Sequence, residues 1–147
     1  MNSKEGDAKE TSNHELLGGP MVKCNERPHK KLILWQKAMD LVTAVYSSTK
    51  EFPPQEMYGL IAQLRRAAVS VPSNIAEGLT RRSKADKLLF LNISQSSLSE
   101  IDTQMEISTR LDYLNESTYD DNVTSLIDVQ RLLGGLIRSI RSRGAIS

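Results

Sequence analysis

Apolar residues in this chain recur at alternating spacings of three and four through four successive segments. Side chains spaced in this way share one face of an α-helix, so each segment is predicted to be an amphipathic helix. Short alternating runs of β-branched and aromatic residues are absent, and only 5% of the residues are aromatic, which argues against a sandwich or barrel. The sequence therefore predicts an all-α protein.

The predicted helices run over about residues 32–50, 57–78, 84–114 and 118–140. Because short loops favour antiparallel neighbours, we expect an antiparallel up-down-up-down four-helix bundle. The residues that the spacing assigns to its core are Leu34, Ala38, Leu41, Val45, Met57, Leu60, Ile61, Leu64, Ala68, Val71, Ile75, Leu88, Leu91, Leu98, Ile101, Met105, Leu111, Leu126, Val129, Leu133, Leu136 and Ile140.

Local signals set the ends of these helices. Pro53 and Pro54 stop the first helix, because proline cannot continue the hydrogen-bond ladder. Gly78 is a predicted stop for the second helix, and Leu114 ends the third. Capping boxes over residues 83–86 and 117–120 are predicted to begin the third and fourth helices.

Two features inside the helices require compensation. Pro72 is predicted to kink the second helix or end it early, with Ser73 and Asn74 rebonding the loosened backbone groups. Gly134 and Gly135 weaken the fourth helix by about 1 kcal/mol each relative to alanine. We expect a close contact from a partner helix or subunit at that place.

The polar segment 1–30 carries Gly18, Gly19 and Pro20 without apolar periodicity. We predict that 1–30 is a flexible N-terminal tail and 31–147 the four-helix bundle domain. Met1 and Met21 both remain open as the functional start. The single cysteine, Cys24, and the lack of signal-peptide and membrane-span patterns predict a soluble, cytoplasmic protein that does not enter the membrane.

Residues for catalysis or metal binding are scarce. The two histidines, His14 and His29, both lie in the predicted tail. A di-iron bundle needs two Glu-x-x-His pairs, whereas the one such spacing here, Glu26 to His29, contains Pro28. Gly-rich phosphate loops are also absent. We therefore expect no metal, no cofactor, no catalytic residue and no enzymatic activity.

Charge is sorted along the chain although the formal net charge is only +1. Residues 61–99 contain six basic and two acidic residues, and residues 100–128 contain one basic and eight acidic residues. In the predicted topology one end, the basic pole, collects Lys30, Lys31, Arg81, Arg82, Lys84, Lys87, Arg138, Arg141 and Arg143. The opposite end, the acidic pole, collects Glu51, Glu56, Asp112, Glu116, Asp120 and Asp121.

The basic pole has two interpretations. Lysine and arginine contact phosphates in sequence-independent nucleic-acid binding. Cations at the ends of helices also stabilise the helix dipole. No aromatic residue is interleaved with the cluster, which argues against base stacking and favours recognition of shape or backbone.

One motif in the second predicted helix closely resembles the bacterial four helix bundle protein family. It consists of Tyr58-Gly59-Leu60 followed by Gln63-Leu64-Arg65-Arg66-Ala67-Ala68-Val69-Ser70-Val71-Pro72-Ser73-Asn74-Ile75-Ala76-Glu77-Gly78. Members of the family include proteins encoded by intervening sequences within 23S ribosomal RNA genes. The resemblance covers about residues 32–140. It implies a homo-oligomeric ring, typically a pentamer, and no enzyme. A distant branch resembles the accessory protein of diversity-generating retroelements, which binds a reverse transcriptase and nucleic acid, although this chain is less basic.

The family motif comprises Arg65, Arg66, Pro72, Asn74, Glu77 and Gly78. The two adjacent arginines cannot both face the core, so we expect one of them to pair with an acidic residue across a subunit contact. Glu77 is expected to cap its helix or pair with Arg81.

Two functional hypotheses follow. The first is a non-enzymatic, oligomeric bundle that binds RNA, DNA or a ribonucleoprotein through the basic pole. The second is a protein-interaction scaffold or accessory subunit, for example of a reverse transcriptase, in which that pole contacts an acidic partner or another subunit.

Overall fold

The computed structural model describes residues 27–144, and they form four α-helices. These are α1 (Ile33–Thr49), α2 (Leu60–Thr80), α3 (Lys84–Arg110) and α4 (Glu116–Ser142). Short 3-10 turns at Pro28–Lys31 and Pro54–Glu56 precede α1 and α2. Since residues 27–144 contain no strand, the predicted all-α class is confirmed.

Each helix packs against the next one in the chain, and α4 closes the bundle against α1. Contacts across the bundle run antiparallel: in the α2–α3 pair Ser97 lies against Ser70, and Gln104 lies against Gln63 further along. Within residues 27–144 no Cα atoms of the diagonal pairs α1–α3 and α2–α4 come within 8 Å of each other. This is the predicted up-down-up-down arrangement.

The predicted core stripes fill the centre of the bundle with few exceptions. Met57 and Leu111 were assigned to the core, but both are exposed. They lie just outside α2 and α3, where the helical periodicity that justified the assignment has stopped. Near the end of α4, Ile137 is buried in place of the predicted Leu136, which is half-buried.

The second helix does not stop at Pro72 or at Gly78, as the sequence had suggested it could. It runs unbroken from Leu60 to Thr80. The Ser73 hydroxyl donates to the Val69 carbonyl at 2.7 Å, and the Asn74 amide donates to the Ser70 carbonyl at 2.9 Å. Both side chains thus bond to backbone carbonyls of the turn before Pro72, but the carbonyl that Pro72 leaves without a donor, four residues earlier, is that of Ala68.

Gly78 serves packing instead of termination. It is buried, and a Cβ atom built there would lie 3.2 Å from both the Lys87 carbonyl oxygen and the Phe90 Cβ of α3. A glycine thus lets the backbones of α2 and α3 approach closely. The prediction of a glycine stop was wrong because the sequence does not show which helix passes beside the residue.

The helix ends confirm one predicted cap and correct another. The Ser83 hydroxyl accepts from the Asp86 amide at 3.0 Å, as predicted. The fourth helix begins at Glu116, two residues before the expected position, because the Asn115 side chain accepts from the Thr118 amide at 2.8 Å. The third helix ends at Arg110 instead of Leu114, and Asp112 then adopts a positive φ of 60°.

The predicted tail, residues 1–30, lies outside the described residues except for 27–30. Pro28–Lys31 form the first 3-10 turn, and the His29 ring of this turn meets the Trp35 ring of α1 edge to face with centroids 5.2 Å apart. The predictions made for His14, Met21 and Cys24 likewise fall outside the described part. Within residues 27–144, none of the helices is both long and apolar enough to cross a membrane.

Candidate functional site

The basic pole brings the short connection between α2 and α3 together with the end of α4, which lies 57 residues further along the chain. The Lys84 ammonium at the start of α3 donates to the Arg141 carbonyl at the end of α4, 2.7 Å away. The Lys87 ammonium reaches the Leu79 carbonyl near the end of α2 at 3.5 Å. The end of α2, the start of α3 and the end of α4 therefore meet at one end of the bundle.

Three of the nine predicted cations have structural roles there. Lys84 and Lys87 place positive charge on the free carbonyls of helix C-termini, where cations are stabilising. Arg81 forms an ion pair with Glu77, as predicted for that glutamate, and its guanidinium lies 4.6 Å from the Phe90 ring centroid. These side chains are thus partly engaged by the bundle itself.

The other cations face the solvent to different degrees. Lys30 is half-buried in the 3-10 turn, and its carbonyl accepts from the Gln36 amide at 2.8 Å. Five exposed side chains form no ion pair within residues 27–144: those of Lys31, Arg82, Arg138, Arg141 and Arg143. Guanidinium groups can bind phosphate through two parallel hydrogen bonds, whereas lysine acts as a point charge.

The glycine pair of α4 lies near the basic pole. The nearest neighbour of a Cβ built at Gly134 would be the Arg138 guanidinium of the same helix, at 3.3 Å. At Gly135 the same guanidinium would lie at 3.9 Å. Among residues 27–144 no atom of another helix lies within 4 Å of a Cβ atom built at either glycine, so the close contact expected on this side of α4 is not made inside the described chain.

The acidic pole is assembled in the same way at the opposite end. Ser47, Ser48 and Glu51 line one depression together with residues 113–115 and Thr118. The Tyr113 hydroxyl lies 3.4 Å from a Glu56 carboxylate oxygen. Partial burial raises the pKa of Tyr113, and the charge of Glu56 raises it further.

A second tyrosine at the same end of the bundle is coupled to α3. The Tyr119 hydroxyl donates to Glu106 at 3.1 Å, and Arg110 Nε donates to the other carboxylate oxygen at 2.8 Å. The hydrogen bond from Arg110, followed by that from Tyr119, lowers the pKa of Glu106. The hydrogen bond to Glu106 and burial raise the pKa of Tyr119.

The two adjacent arginines of the family motif point to different surroundings. Arg65 Nε donates to the Thr49 hydroxyl at 2.9 Å, and its guanidinium lies 4.6 Å from the Tyr46 ring centroid. Arg66 is exposed and lines a groove of about 340 Å³ between α2 and α3, with Glu100 among its other lining residues. Neither Arg66 nor Glu100 forms an ion pair within residues 27–144.

The groove is also lined by Gln63, Ser70 and Ser97, three polar residues that the sequence motifs did not single out. The Ser97 hydroxyl donates to the Ser70 hydroxyl at 2.9 Å, and the Asn74 amide also donates to Ser70, at 3.0 Å. Near the other end, the Gln104 amide donates to Gln63 at 3.3 Å. The run of serines in α3 was the available signal, since small side chains allow helices to approach closely.

No cluster of His, Cys, Asp or Glu able to hold a metal ion lies within residues 27–144. The exposed groups of the basic pole are donors and cations, which suits phosphate oxygens.

Comparison with known proteins gives one family and one fold. The family model described as 23S rRNA-intervening sequence protein matches residues 30–135. No curated protein matches the chain. A crystal structure of a protein of unknown function from the S23 ribosomal protein family of Bacteroides thetaiotaomicron superposes with a TM-score of 0.65 at 21% identity, over 71% of this chain and 98% of that one. At this identity the superposition shows a shared fold.

Proposed function

The chain belongs to the family of 23S rRNA-intervening sequence proteins, and from this premise we propose that it is a non-enzymatic, oligomeric bundle that binds RNA or a ribonucleoprotein through its basic pole. The observation that carries the proposal is the contact between the Lys84 ammonium and the Arg141 carbonyl. This contact holds the start of α3 against the end of α4, so that cations from separate segments form one surface.

The cations of the basic pole have two different roles in this proposal. Arg82, Arg138 and Arg143 provide guanidinium groups without ion pairs inside the described chain, and they are assigned to phosphate contacts. Lys84 and Lys87 keep the helix ends together by donating hydrogen bonds to carbonyl groups at the C-terminal ends of α4 and α2. Phe90 lies beneath Arg81, so stacking on bases is not assigned to it. Backbone recognition of structured RNA follows from this set.

Oligomerisation is the second part of the proposal, and the family resemblance implies a pentameric ring. Two observations support an interface between copies. Arg66 and Glu100 carry opposite charges beside one groove without pairing inside the described chain, and Ile93 in the same groove is 39% exposed. The pair Gly134 and Gly135 is the second, because among residues 27–144 only the Arg138 guanidinium lies within 4 Å of a Cβ atom built at either position, which leaves room for a neighbouring backbone.

The test is the salt dependence of binding to labelled structured RNA and duplex DNA. Binding through phosphates weakens linearly on a logarithmic salt scale, with a slope of about −0.9 per phosphate contact for duplex DNA. We expect Arg82→Glu/Arg143→Glu to abolish binding and leave the oligomer mass unchanged. These two residues avoid the capping role of Lys84.

Lys37→Glu/Lys50→Glu is the matched control, because it changes the charge equally at two exposed sites of α1 outside the basic pole. Equal loss of binding in both variants would show that net charge, not the pole, is responsible. If the natural chain binds neither nucleic acid while the oligomer is intact, the RNA proposal is wrong. The alternative of a scaffold or accessory subunit, such as one that serves a reverse transcriptase, then takes its place.

A further inference from the structure

An apolar groove between α1 and α2 lies on the side of the bundle where the described chain begins. Trp35, Met39 and Val42 line it from α1, and Val69, Pro72 and Ala76 line it from α2. Its volume is about 320 Å³. Met39 is 39% exposed and Val69 is 42% exposed, so apolar side chains face solvent along its length.

The chain enters the described structure at one end of this groove. Residue 27 immediately precedes the Pro28–Lys31 turn, and His29 of that turn lines the groove and contacts the Trp35 ring. The 3-10 turn contacts both α1 and α2. Any segment just before residue 27 therefore starts beside the groove.

We propose that the segment around Met21 and Val22 occupies the α1–α2 groove and forms an intramolecular cover for it. Trp35 and Val42 are seven residues apart, which corresponds to about 10 Å along α1. The five residues from 22 to 27 reach up to about 17 Å when extended. Met21 and Val22 are adjacent apolar residues within this reach, and the segment belongs to the chain whether translation starts at Met1 or at Met21.

Two arguments favour this segment over a second copy of the chain. A stable protein interface uses about 20–30 residues on each side, whereas eight residues line the groove. A tethered segment also has a high effective concentration, so a small apolar contact suffices to hold it. The proposal is independent of the proposed RNA binding, since none of the residues that line the groove belongs to the basic pole.

The single tryptophan of the chain, Trp35, reports on the groove. In the full-length protein, Met21→Ser/Val22→Ser should shift the Trp35 emission to longer wavelength and increase its quenching by acrylamide. Leu16→Ser/Leu17→Ser is the matched control, an apolar pair on the far side of Gly18-Gly19-Pro20. An unchanged spectrum in the first variant, or an equal change in the control, would overturn the proposal.

Disulfide trapping distinguishes the occupants. Cys24 is the only cysteine and lies three residues before residue 27, within about 10 Å along an extended chain. With Met39→Cys in the groove, mild oxidation should close an intrachain disulfide. Ile107→Cys is the control, because Ile107 is exposed on α3, the helix diagonally opposite α1 in the bundle.

The form of the crosslinked product decides the result. The expected outcome is an intrachain bridge from Cys24 to the cysteine introduced at position 39, formed faster than the bridge in the control variant. A bridge between chains would assign the groove to a second copy, and equal rates for both variants would mean that the segment does not dwell there. Either of the last two results contradicts the proposal.

Discussion

The ammonium of Lys84 and the backbone carbonyl of Arg141 form a hydrogen bond of 2.7 Å across 57 residues of sequence. Lys84 is the first residue of α3, and the Arg141 carbonyl lies in the last turn of α4. The lysine side chain therefore satisfies a free acceptor at the end of another helix. A residue that the charge pattern assigned to ligand binding therefore also joins two helix ends. Its substitution must affect stability as well as surface charge.

Lys84→Ala should lower the free energy of unfolding by about 0.3–1 kcal/mol, the range for a cation at a helix C-terminus. Thermal or denaturant unfolding measures this directly. Arg82→Ala is the control, since Arg82 is exposed and has no ion pair within residues 27–144. Equal effects of the two substitutions would contradict the capping role.

The same substitution at two glycines should have opposite effects. Gly78→Ala places a Cβ against the backbone of α3, and such overpacking typically costs about 1–3 kcal/mol. Gly134→Ala meets only the end of a flexible arginine and should stabilise the helix by up to about 1 kcal/mol. Unfolding curves of both variants provide the test, and stabilisation by Gly78→Ala would show that the two helices can separate without cost.

The glycine substitution in α4 also tests the subunit contact expected there. If another copy packs closely on Gly134 and Gly135, Gly134→Ala/Gly135→Ala should raise the stability of the isolated protomer but weaken assembly. Light scattering and unfolding measurements on the same sample separate these two effects. An unchanged oligomer would exclude close packing at this place.

Ser94 joins α3 to α2 within the core. It is fully buried, and its hydroxyl donates to the Val71 carbonyl at 2.8 Å. Ser94→Ala should therefore cost about 1 kcal/mol, the net value of a typical hydrogen bond. Ser96→Ala on the exposed face of α3 is the control, and it should be neutral or slightly stabilising because alanine is the better helix former.

Glu106 should make stability depend on pH in the acidic range. Hydrogen bonds from Arg110 and then Tyr119 lower its pKa below the usual value of 4.5. A carboxyl with a lowered folded-state pKa stabilises the fold above its usual pKa, and this contribution is lost as the pH falls towards the lowered value. The difference in Tm between the natural chain and Glu106→Gln should therefore be largest near neutral pH and shrink on acidification.

The same variant should lower the pKa of Tyr119, because the hydrogen bond to the Glu106 carboxylate is the main cause that raises it. Ultraviolet titration of the tyrosines measures this change. Asp40→Asn is the control for the Tm series, since Asp40 is exposed and forms no ion pair within residues 27–144. A Tm difference for Glu106→Gln that does not vary with pH would show that the hydrogen bonds do not favour the charged form.

The helices and most of the core could be predicted from the sequence alone. Residues such as Leu41, Ile75, Leu98 and Val129 lie on stripes spaced three and four apart, and all are fully buried. The prediction succeeds because helical periodicity is a local property of the chain. It fails at Met57, which precedes α2, and at Leu111, which follows α3, because the apolar spacing extends beyond the helices there and both side chains are exposed.

The collection of cations at one end also followed from sequence, once four antiparallel helices were expected. The tertiary structure determines which of these cations make contacts within the bundle and which extend into solvent. The charge pattern treats Lys84, Arg81 and Arg82 alike, but only packing shows that Lys84 reaches α4, that Arg81 lies on Phe90 and that Arg82 extends into solvent. Likewise, Gly78 suggests a helix stop until α3 is seen beside it. Local sequence determines secondary structure and the side that faces inward, whereas the role of each polar or small residue depends on the neighbour that folding brings within a few ångströms.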